Sequence, residues 1–508
     1  MASPTARASH RLRRRLHRPL RWLEQIVLQL LHALPPVPGP VAPSAARAGA
    51  TPVTFLIWNI HAMGGTVRTV LRQAEGLVAQ GHPVRIVAVL CHSYQERPFF
   101  EVPDGVEVEV LVDRYRLKRR RGPLAVFARW IDRRPSVLRS LAHGRTTQAS
   151  LLTDVRTVTR IARTRGIVMG TRYGLTVSLA RFAHPAAITV GQEHLSIDRL
   201  RGERLRAARR WYPRLDLVAC LTEAERASYR RRLKKRSCPP TVVLPNALPD
   251  RLPDLPPDDQ RPRRVISIGR LDTDKNHADA IEAFLAATED QPGWELTLVG
   301  EGRGRRALEE LVERRGATDR VHFPGASDDV DSELREASVF ISSSSFESFG
   351  LVLLEAMAAG LPLLAYAAPK GPRELLTDGE DALLVPVGDV EGLTEGLRLL
   401  LTDDRLRHQL GQGGRRTAER YRNNEVCARW VRLLDDLVRA RGDAAAGVAA
   451  ADRAVGSFSP VDVSEDHLED GEQRHQRVDP DAAHREGDLQ QRGEPEAGRP
   501  MSSASLAT

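Results

Sequence analysis

Two consecutive stretches of the chain, Ala337-Ser-Val-Phe-Ile-Ser-Ser-Ser-Ser345 and Phe346-Glu-Ser-Phe-Gly-Leu-Val-Leu-Leu-Glu-Ala-Met-Ala-Ala-Gly360, decide the fold. The first is β-branched and apolar and then turns to serine, which is typical of the carboxyl end of a buried parallel strand. The second has apolar residues at helical spacing and stops at Gly360 before Pro362, a normal C-terminal helix signal. Together they predict a strand, a turn and a helix of an open α/β sheet.

Two glutamates of the second stretch occupy different parts of this unit. Glu347 is predicted in the turn between strand and helix, and Glu355 within the helix. In open α/β sheets such a turn faces the ligand crevice. The amides of Phe349, Gly350 and Leu351 would form a helix N-terminus that can hold a phosphate. Two carboxylates beside an anion site suit a nucleotide-sugar; a surface carboxylate and an ordinary helix glutamate are the alternative.

An earlier βαβ unit opens the first half of the chain. Residues 53–58 have the pattern of a buried strand, and the turn that follows contains Gly64 and Gly65. An amphipathic helix over about residues 67–80 leads to the next apolar strand at residues 84–90. A strand, a glycine-containing turn, a helix and a second strand are typical of a parallel sheet.

A second series of apolar strands follows a Pro/Asp-rich linker that ends near residue 262. These strands are predicted at residues 264–269, 294–300, 321–323, 339–341 and 361–365. The predicted fold class is therefore α/β, with two facing Rossmann-like domains at residues 51–248 and 249–422. A cleft between two such domains is a favoured place for a ligand.

Composition excludes several classes of protein. The chain has 508 residues and lacks a fully apolar stretch of membrane-spanning length, which argues against an integral membrane protein. Its four cysteines have no paired or metal-type spacing, which favours a reducing cytosol and argues against a zinc site. The basic segment of residues 114–121 has no interleaved aromatic motif for nucleic acid, so no nucleic-acid partner is predicted.

The two ends of the chain differ in charge. Residues 1–50 are rich in arginine and contain a short amphipathic pattern at residues 20–34, which predicts a basic helix on an anionic membrane. A signal peptide is disfavoured because polar residues interrupt the apolar run, and a disordered extension is the remaining alternative. Residues 443–508 are acidic and nearly free of aromatics, which predicts disorder.

Two further motifs have weaker functional interpretations. The glycines of Gly300-Glu-Gly-Arg-Gly304 partly match a dinucleotide fingerprint, but they open the third unit of a series rather than the first, which argues against a dehydrogenase. Asp272-Thr-Asp274 could bind a metal, as such pairs do in other nucleotide-sugar enzymes. A helix cap by Asp274 or Thr273 is the favoured interpretation, and no metal site is predicted.

The ordered set of motifs resembles the retaining glycosyltransferases of family 4, which have the two-domain GT-B fold. The similarity covers residues 51 to 437, and the segments that carry it are Met63-Gly-Gly-Thr66, Gly191-Gln-Glu-His194, Leu221-Thr222, Pro245-Asn246, Gly269-Arg-Leu-x-x-x-Lys275, Gly300-Glu-Gly302 and Phe346–Glu355. Pro369-Lys-Gly-Pro-Arg-Glu374 narrows the resemblance to bacterial enzymes that glycosylate cell-envelope polymers, including teichoic acids. In this fold a helix at about residues 423–440 crosses back to the first domain.

The resemblance implies a role for each candidate residue. Arg270 and Lys275 would neutralise the diphosphate leaving group, and Glu347 would bind the sugar hydroxyls. His194 would contact the sugar or its leaving oxygen, and Glu355 would bind the ribose. The loop of Gly64 and Gly65 would approach the diphosphate, and the amides of Phe349, Gly350, Leu351 and Val352 would hold sugar and phosphate.

The implied activity is transfer of a hexose-type sugar from a UDP-linked donor to an envelope polysaccharide, a teichoic-acid-like polymer or a lipid-linked acceptor. Retention would follow a front-face mechanism in which the leaving phosphate takes the acceptor proton, without metal or other cofactor. A GT-B protein that binds nucleotide-sugar without transferring it, such as an epimerase-like member, is the alternative. The expected location is the cytoplasm, with a peripheral position at the inner face of the cell membrane.

Overall fold

The structure is a computed structural model that describes residues 50–91, 98–138, 149–234, 238–252 and 261–442, together with Pro35 and Pro38. Most of the predicted basic leader and the whole predicted acidic tail, residues 443–508, lie outside the described residues. Within the described residues, every helix is too short or too polar to cross a bilayer.

The first sheet has seven strands that all pair in parallel, in the order β3-β2-β1-β4-β5-β6-β7. The strands are β1 Val53–Ile57, β2 Val84–Cys91, β3 Val106–Asp113, β4 Ile167–Gly170, β5 Ile188–Gln192, β6 Leu217–Cys220 and β7 Thr241–Val243. The strand order reverses direction at β1 and β4, which makes the loop after β1 a topological switch point.

The helices of the first domain are α1 Gly65–Ala79, α2 Arg114–Arg119, α3 Pro123–Asp132, α4 Leu151–Arg163, α5 Tyr173–Phe182, α6 Gly202–Trp211 and α7 Glu223–Leu233. Two clusters of buried apolar side chains cover the two faces of the sheet, and alternate residues of β1 and β2 contribute to each. Burial on both faces explains why β1 is a continuous apolar run rather than an alternating one.

The second sheet has six parallel strands in the order β10-β9-β8-β11-β12-β13. They are β8 Arg264–Ile268, β9 Glu295–Val299, β10 Val321–Gly325, β11 Val339–Ser342, β12 Leu363–Tyr366 and β13 Leu383–Val385. The helices around them are α8 His277–Ala287, α9 Arg305–Arg314, α10 Val330–Arg335, α11 Leu351–Ala358, α12 Gly371–Leu375, α13 Val390–Thr402 and α14 Asp404–Glu419. The prediction of two Rossmann-like parallel sheets is confirmed.

The last described helix, α15 Asn423–Gly442, packs on α1 of the first domain. The Asn423 amide donates to the Arg72 carbonyl at 2.9 Å, and Trp430 belongs to the core that contains β1 and β2. The helices approach closely because residue 76 is glycine: a Cβ at Gly76 would lie 2.2 Å from the Cys427 sulfur. The first domain is therefore completed by residues that follow the second domain in the chain.

Candidate active site

The loops after β8 and β11 bring together Lys275 and Glu347, which are distant in sequence. Lys275 ends a 3-10 turn, Thr273–Lys275, and its ammonium donates to the Glu347 carboxylate. The Ser344 hydroxyl donates to the same carboxylate oxygen at 3.2 Å. Both side chains of the ion pair are largely but not fully buried. The pair therefore lies where a bound ligand can still reach both charges.

Helix α11 begins at Leu351, four residues after Glu347. Gly350 caps the helix with a φ of +90°, a conformation that favours glycine. Phe349 is buried, and Leu351 and Val352 are half-buried. The first amides of a helix lack intrahelical acceptors, so this end presents donors to an anion. The structure thus places all four predicted residues of the anion site beside Glu347.

Gly64 and Gly65 lie at the other side of the cleft, at the start of α1. Among the described residues, no atom outside the adjoining residues and the helix's own backbone lies within 4 Å of the position that a Cβ would take on either glycine. Gly64 has an ordinary φ of −94°. Because neither packing nor the Gly64 backbone explains glycine here, open space for a ligand is the remaining physical reason for small residues.

Glu355 is buried in α11 and pairs with Arg68 of α1 at 2.9 Å. Burial raises the pKa of Glu355 to about 7, and the charge of Arg68 opposes that shift. This ion pair joins α1, which follows Gly64, to α11, which follows Glu347. Arg68 had not been singled out from the sequence.

His194 lies two residues after the end of β5, on the first domain. Its Nε2 is buried and has no hydrogen-bond partner in the described structure. Burial, together with the charge of Arg172, lowers the pKa of His194 to about 4. The imidazole is therefore neutral at pH 7 and can exchange hydrogen bonds with a hydroxyl.

Arg172 precedes α5 and is a cation that sequence analysis missed. Burial lowers the pKa of Arg172, Glu193 opposes the shift, and the charge of Arg270 on the second domain adds to it. Arg270 itself pairs with Asp272 and is mostly exposed. The positive charge of Arg270 therefore acts on Arg172 from the other domain, and a bound anion near these groups would relieve that repulsion.

The helix-cap interpretation of Asp274 and Thr273 is wrong. The Asp274 carboxylate pairs with Arg199 of the first domain at 2.8 Å, and this contact lowers the pKa of Asp274. The Arg199 guanidinium also stacks over the Phe346 ring at 4.6 Å. The sequence alone could not distinguish a helix cap from this ion pair, because the partner arginine is far away in the chain. Among the described residues, no group of three His, Cys, Asp or Glu side chains could hold a metal ion.

Lys370 reaches from the second domain into the first. Its side chain is only 7% exposed, and its ammonium contacts Ser196 at 2.5 Å, Asp198 at 2.9 Å and the Glu225 carboxylate. Its backbone has a φ of +77°, which is costly for a residue with a Cβ. We call this cluster of Lys370, Ser196, Asp198 and Glu225 the interdomain latch.

The latch is joined to the candidate site through the backbone. The amide of Gly371 donates to the Glu347 carbonyl at 3.1 Å. A Cβ at Gly371 would lie 2.0 Å from the Phe349 carbonyl oxygen, so this position must be glycine. Four residues after Lys370, the Glu374 carboxylate accepts from the first amides of α7 at 2.8 and 2.6 Å. The Pro369–Glu374 motif therefore contacts both Glu347 and the first domain.

The glycines of the dinucleotide-like motif have a packing role. A Cβ at Gly300 would lie 1.8 Å from the Gly269 carbonyl oxygen, and one at Gly302 would lie 2.4 Å from that of Leu271. The loops after β8 and β9 can cross at this distance only without side chains. This accounts for the pattern without a dinucleotide and keeps Arg270 and Lys275 in the loop that faces the cleft.

Part of the chain is similar to known proteins. Residues 254–417 match the family model of glycosyl transferases group 1. An exopolysaccharide phosphotransferase of Streptomyces coelicolor is 34% identical over 408 residues, which cover 79% of this chain and 42% of that protein. A poly(glycerol-phosphate) alpha-glucosyltransferase of Bacillus subtilis is 28% identical over 178 residues, 35% of this chain and 26% of that one. The matched regions thus span less than half the length of either relative.

The fold has a counterpart among solved structures. A Staphylococcus aureus TarM mutant, crystallised with fondaparinux, alpha-GlcNAc-glycerol and UDP, superposes with a TM-score of 0.60 at 12% identity, over 75% of this chain and 99% of that one. A likeness at this identity concerns the fold alone. The chain therefore has the GT-B fold, and residues 254–417, within its second domain, are similar to the group 1 glycosyl transferases.

Proposed function

We propose that this protein transfers a hexose-type sugar from a UDP-linked donor to a polymer of the bacterial cell envelope, with retention of anomeric configuration. The observation that carries the proposal is the Lys275–Glu347 pair beside the N-terminus of α11. A cation, a carboxylate and unpaired helix amides in one place match a ligand that carries both phosphates and sugar hydroxyls.

The diphosphate is the part of the donor that gains negative charge as the glycosidic bond breaks. Lys275 and Arg270 on the second domain would neutralise that charge, with Arg172 opposite them on the first domain. The open space at Gly64 and Gly65 would admit the phosphates to the amides at the start of α1. Donors that are already in position stabilise developing charge without reorganisation at the moment of reaction.

The sugar would contact groups from both domains. On donor binding, the Lys275 ammonium would turn to the phosphate and leave the Glu347 carboxylate to accept from sugar hydroxyls. His194, neutral at pH 7, would exchange a hydrogen bond with the sugar across the cleft. Glu355 would bind the ribose hydroxyls, which requires its contact with Arg68 to loosen or to be shared.

For the chemical step we propose front-face transfer. The acceptor hydroxyl attacks the anomeric carbon on the face that the diphosphate leaves, and a phosphate oxygen takes the acceptor proton. The new glycosidic bond then has the configuration of the donor. The charge that builds on the phosphate would be balanced by Arg270, Lys275 and helix amides, so that the reaction needs no metal.

The choice of acceptor rests on the names of the relatives. One is named for exopolysaccharide and another for glucosylation of poly(glycerol-phosphate). We therefore propose a hydroxyl-bearing polymer of the cell envelope as the acceptor of this protein.

The proposal is tested first by donor binding. Thermal unfolding is measured with panels of UDP-, GDP- and ADP-sugars, because a ligand at a hundred times its dissociation constant adds about 2.7 kcal/mol to the free energy of unfolding. We expect a UDP-sugar to stabilise the wild type and to have a weaker effect on Lys275→Ala. Glu310→Gln, a change at an exposed ion pair on α9, is the matched control.

Transfer is tested next with the stabilising donor and poly(glycerol phosphate) as acceptor. Proton NMR of the product reports whether the new linkage keeps the donor's anomeric configuration. Inversion would overturn the front-face mechanism. Binding of the donor without transfer to any envelope polymer, and without hydrolysis, would favour a nucleotide-sugar-binding protein over a transferase.

A further inference from the structure

Helix α3, Pro123–Asp132, exposes an apolar stripe on the first domain. Leu124, Phe127 and Trp130 follow one another at helical spacing and are 83%, 57% and 51% exposed. The rings of Phe127 and Trp130 stack with centroids 5.9 Å apart. Only Ala125 of this helix is buried. An apolar stripe of this kind on an otherwise charged protein indicates a surface that contacts another apolar phase.

The exposed face belongs to a helix that is firmly attached to the domain. Ala128 and Ile131 pack against the first-domain core, on the side away from the stripe. The Arg114 guanidinium donates to the Asp132 carboxylate at 2.8 Å, which ties the end of α3 to the start of α2. In the segment after α3, the Asp154 carboxylate accepts from the Val137 amide at 2.7 Å. The stripe is therefore held outward by the fold.

Positive charge surrounds the stripe. Exposed basic residues precede and follow the helix: Lys118, Arg119, Arg120, Arg121, Arg133 and Arg134. The nearby carboxylates are already neutralised, since Asp113 pairs with Arg116 at 3.3 Å and Asp132 with Arg114. The Arg134 guanidinium stacks over the Trp130 ring at 4.6 Å. We call α3 and these six basic residues the basic-apolar face.

We propose that the basic-apolar face binds an anionic lipid bilayer. An apolar stripe alone would also suit a groove on another protein. A rim of cations in which the carboxylates of Asp113 and Asp132 are paired with arginines complements a layer of negative headgroups. Helices of this composition lie in the plane of the interface with tryptophan at headgroup level and arginine in contact with phosphate. This inference goes beyond the proposed transferase activity and does not depend on it.

The basic-apolar face lies at the same edge of the first sheet as the cleft, so that contact with a bilayer would orient the cleft toward it. Helix α2 begins directly at the carboxyl end of β3. In a parallel sheet, that end lies at the same edge as the carboxyl ends of β1 and β5, which lead to Gly64–Gly65 and to His194. Contact through the face would hold this edge of the sheet toward the bilayer, where a lipid-linked or membrane-proximal polymer is attached.

The experiment is co-sedimentation of the full chain with vesicles of phosphatidylcholine alone or mixed with phosphatidylglycerol, without donor or acceptor. We expect binding to the mixed vesicles only, and its loss at high salt. Phe127→Ser/Trp130→Ser should bind about tenfold more weakly, because the apolar area that enters the interface is lost. Leu124→Ser should also weaken binding. Leu399→Ser is its matched control, because Leu399 is a 53% exposed leucine on α13 of the second domain, away from the basic-apolar face.

Charge is tested separately. Arg119→Gln/Arg120→Gln/Arg121→Gln should weaken binding to mixed vesicles at least about tenfold, since each basic residue near an anionic surface contributes independently. Arg314→Gln/Arg405→Gln/Arg416→Gln removes the same charge from exposed helix positions of the second domain and should have a much smaller effect. Equal effects of the two triple variants would reduce the proposal to nonspecific charge attraction and overturn it.

Two other results would contradict the proposal. Wild-type binding by Phe127→Ser/Trp130→Ser would exclude the apolar stripe as the contact. A wild-type dimer in sedimentation velocity that the same double variant dissociates would make a second copy of the chain the partner instead. Thermal stabilisation by the donor should be unchanged in all of these variants, so failure of the membrane proposal and failure of the transferase proposal give different results.

Discussion

The two faces of the cleft are built in different ways. On the second-domain face, Lys275 pairs with Glu347 and Arg270 pairs with Asp272, all within one domain. The first-domain face presents arginines whose partners lie across the cleft: Arg68 pairs with Glu355 and Arg199 with Asp274. The pairs of Lys275 and Arg270 therefore form within the second domain, whereas the pairs of Arg68 and Arg199 form only when the two domains are together.

This difference predicts that substitutions on the two faces affect different properties: the transfer reaction on one face, and the association of the two domains on the other. Substitutions within the second-domain face should reduce transfer and leave the domains associated. Substitutions in pairs that cross the cleft should change the association of the domains or its dependence on pH. The interdomain latch is the most buried of these crossing contacts, and it lies next to the Glu347 backbone.

The largest effect is expected for the latch. Lys370→Met would leave the buried Glu225 carboxylate without its cation, and breaking one half of a buried pair costs about 3–5 kcal/mol. The double variant Lys370→Met/Glu225→Gln should recover part of that loss, because Glu225 is then uncharged and Asp198 keeps Arg231 at 3.5 Å. Urea unfolding measures both, with Lys118→Met at an exposed position as the control. If the two latch variants are as stable as wild type, the domains are held together by other contacts.

Transfer itself should be most sensitive to the second-domain face. Lys275→Ala and Glu347→Gln should each lower kcat/KM about a hundredfold, which corresponds to about 3 kcal/mol of lost transition-state stabilisation. Their melting temperatures should stay close to wild type, because both groups border the cleft rather than the core. Glu310→Gln should keep full activity. Wild-type turnover in Lys275→Ala or Glu347→Gln would disprove the assignment of the site.

A smaller effect concerns pH and the Arg68–Glu355 pair. Because burial raises the pKa of Glu355 to about 7, the folded protein holds a proton there that the unfolded chain releases near its ordinary value. The contribution of Glu355 to stability is therefore full at low pH and is lost as pH rises toward 7 and above. Arg68→Ala removes the charge that lowers this pKa and should steepen the loss by about 1 kcal/mol between pH 5 and 8.

The control for this pH effect is Glu355→Gln, which has no carboxyl to titrate. Its free energy of unfolding should vary less between pH 5 and 8 than that of wild type, as urea titrations at several pH values can measure. The same dependence in Glu355→Gln as in wild type would show that another group, such as the buried Glu193, dominates.

The smallest expected effect is that of chelation. Turnover should be unchanged in excess EDTA, because arginine, lysine and helix amides are the proposed charge stabilisers. Steady-state rates with and without chelator measure this directly. If EDTA stopped turnover and magnesium or manganese restored it, Asp272 and Asp274 would have to leave their arginine partners to bind the ion.

The second-domain face could largely be located from the sequence because its signals are local. Glu347, the α11 N-terminus and Glu355 lie within one strand-turn-helix unit whose spacing predicts their positions. Lys275 stood out because only five of the 75 basic residues are lysines. The two parallel sheets followed from the succession of apolar strands, and they are confirmed.

The first-domain face could not be found in the same way. Arg68, Arg172 and Arg199 are three arginines in an arginine-rich chain, and their partners lie far away in sequence. Lys370 did carry a signal, since it is a rare lysine within the Pro369–Glu374 motif, but its burial in the other domain had no local trace. Helix α3 was missed because its exposed apolar stripe does not follow the pattern of a core-facing helix.

Helix α15 has a consequence for biosynthesis. A nascent chain that has emerged as far as β7 contains every strand of the first sheet but lacks Trp430 and its neighbours, which seal one side of that core. The ribosome must then add roughly 190 residues, which takes about ten to forty seconds at ordinary elongation rates. During that time apolar surface on β1 and β2 is uncovered. The first domain to be made is thus the last to be finished, and a chaperone that shields this surface would meet it before the second domain has folded.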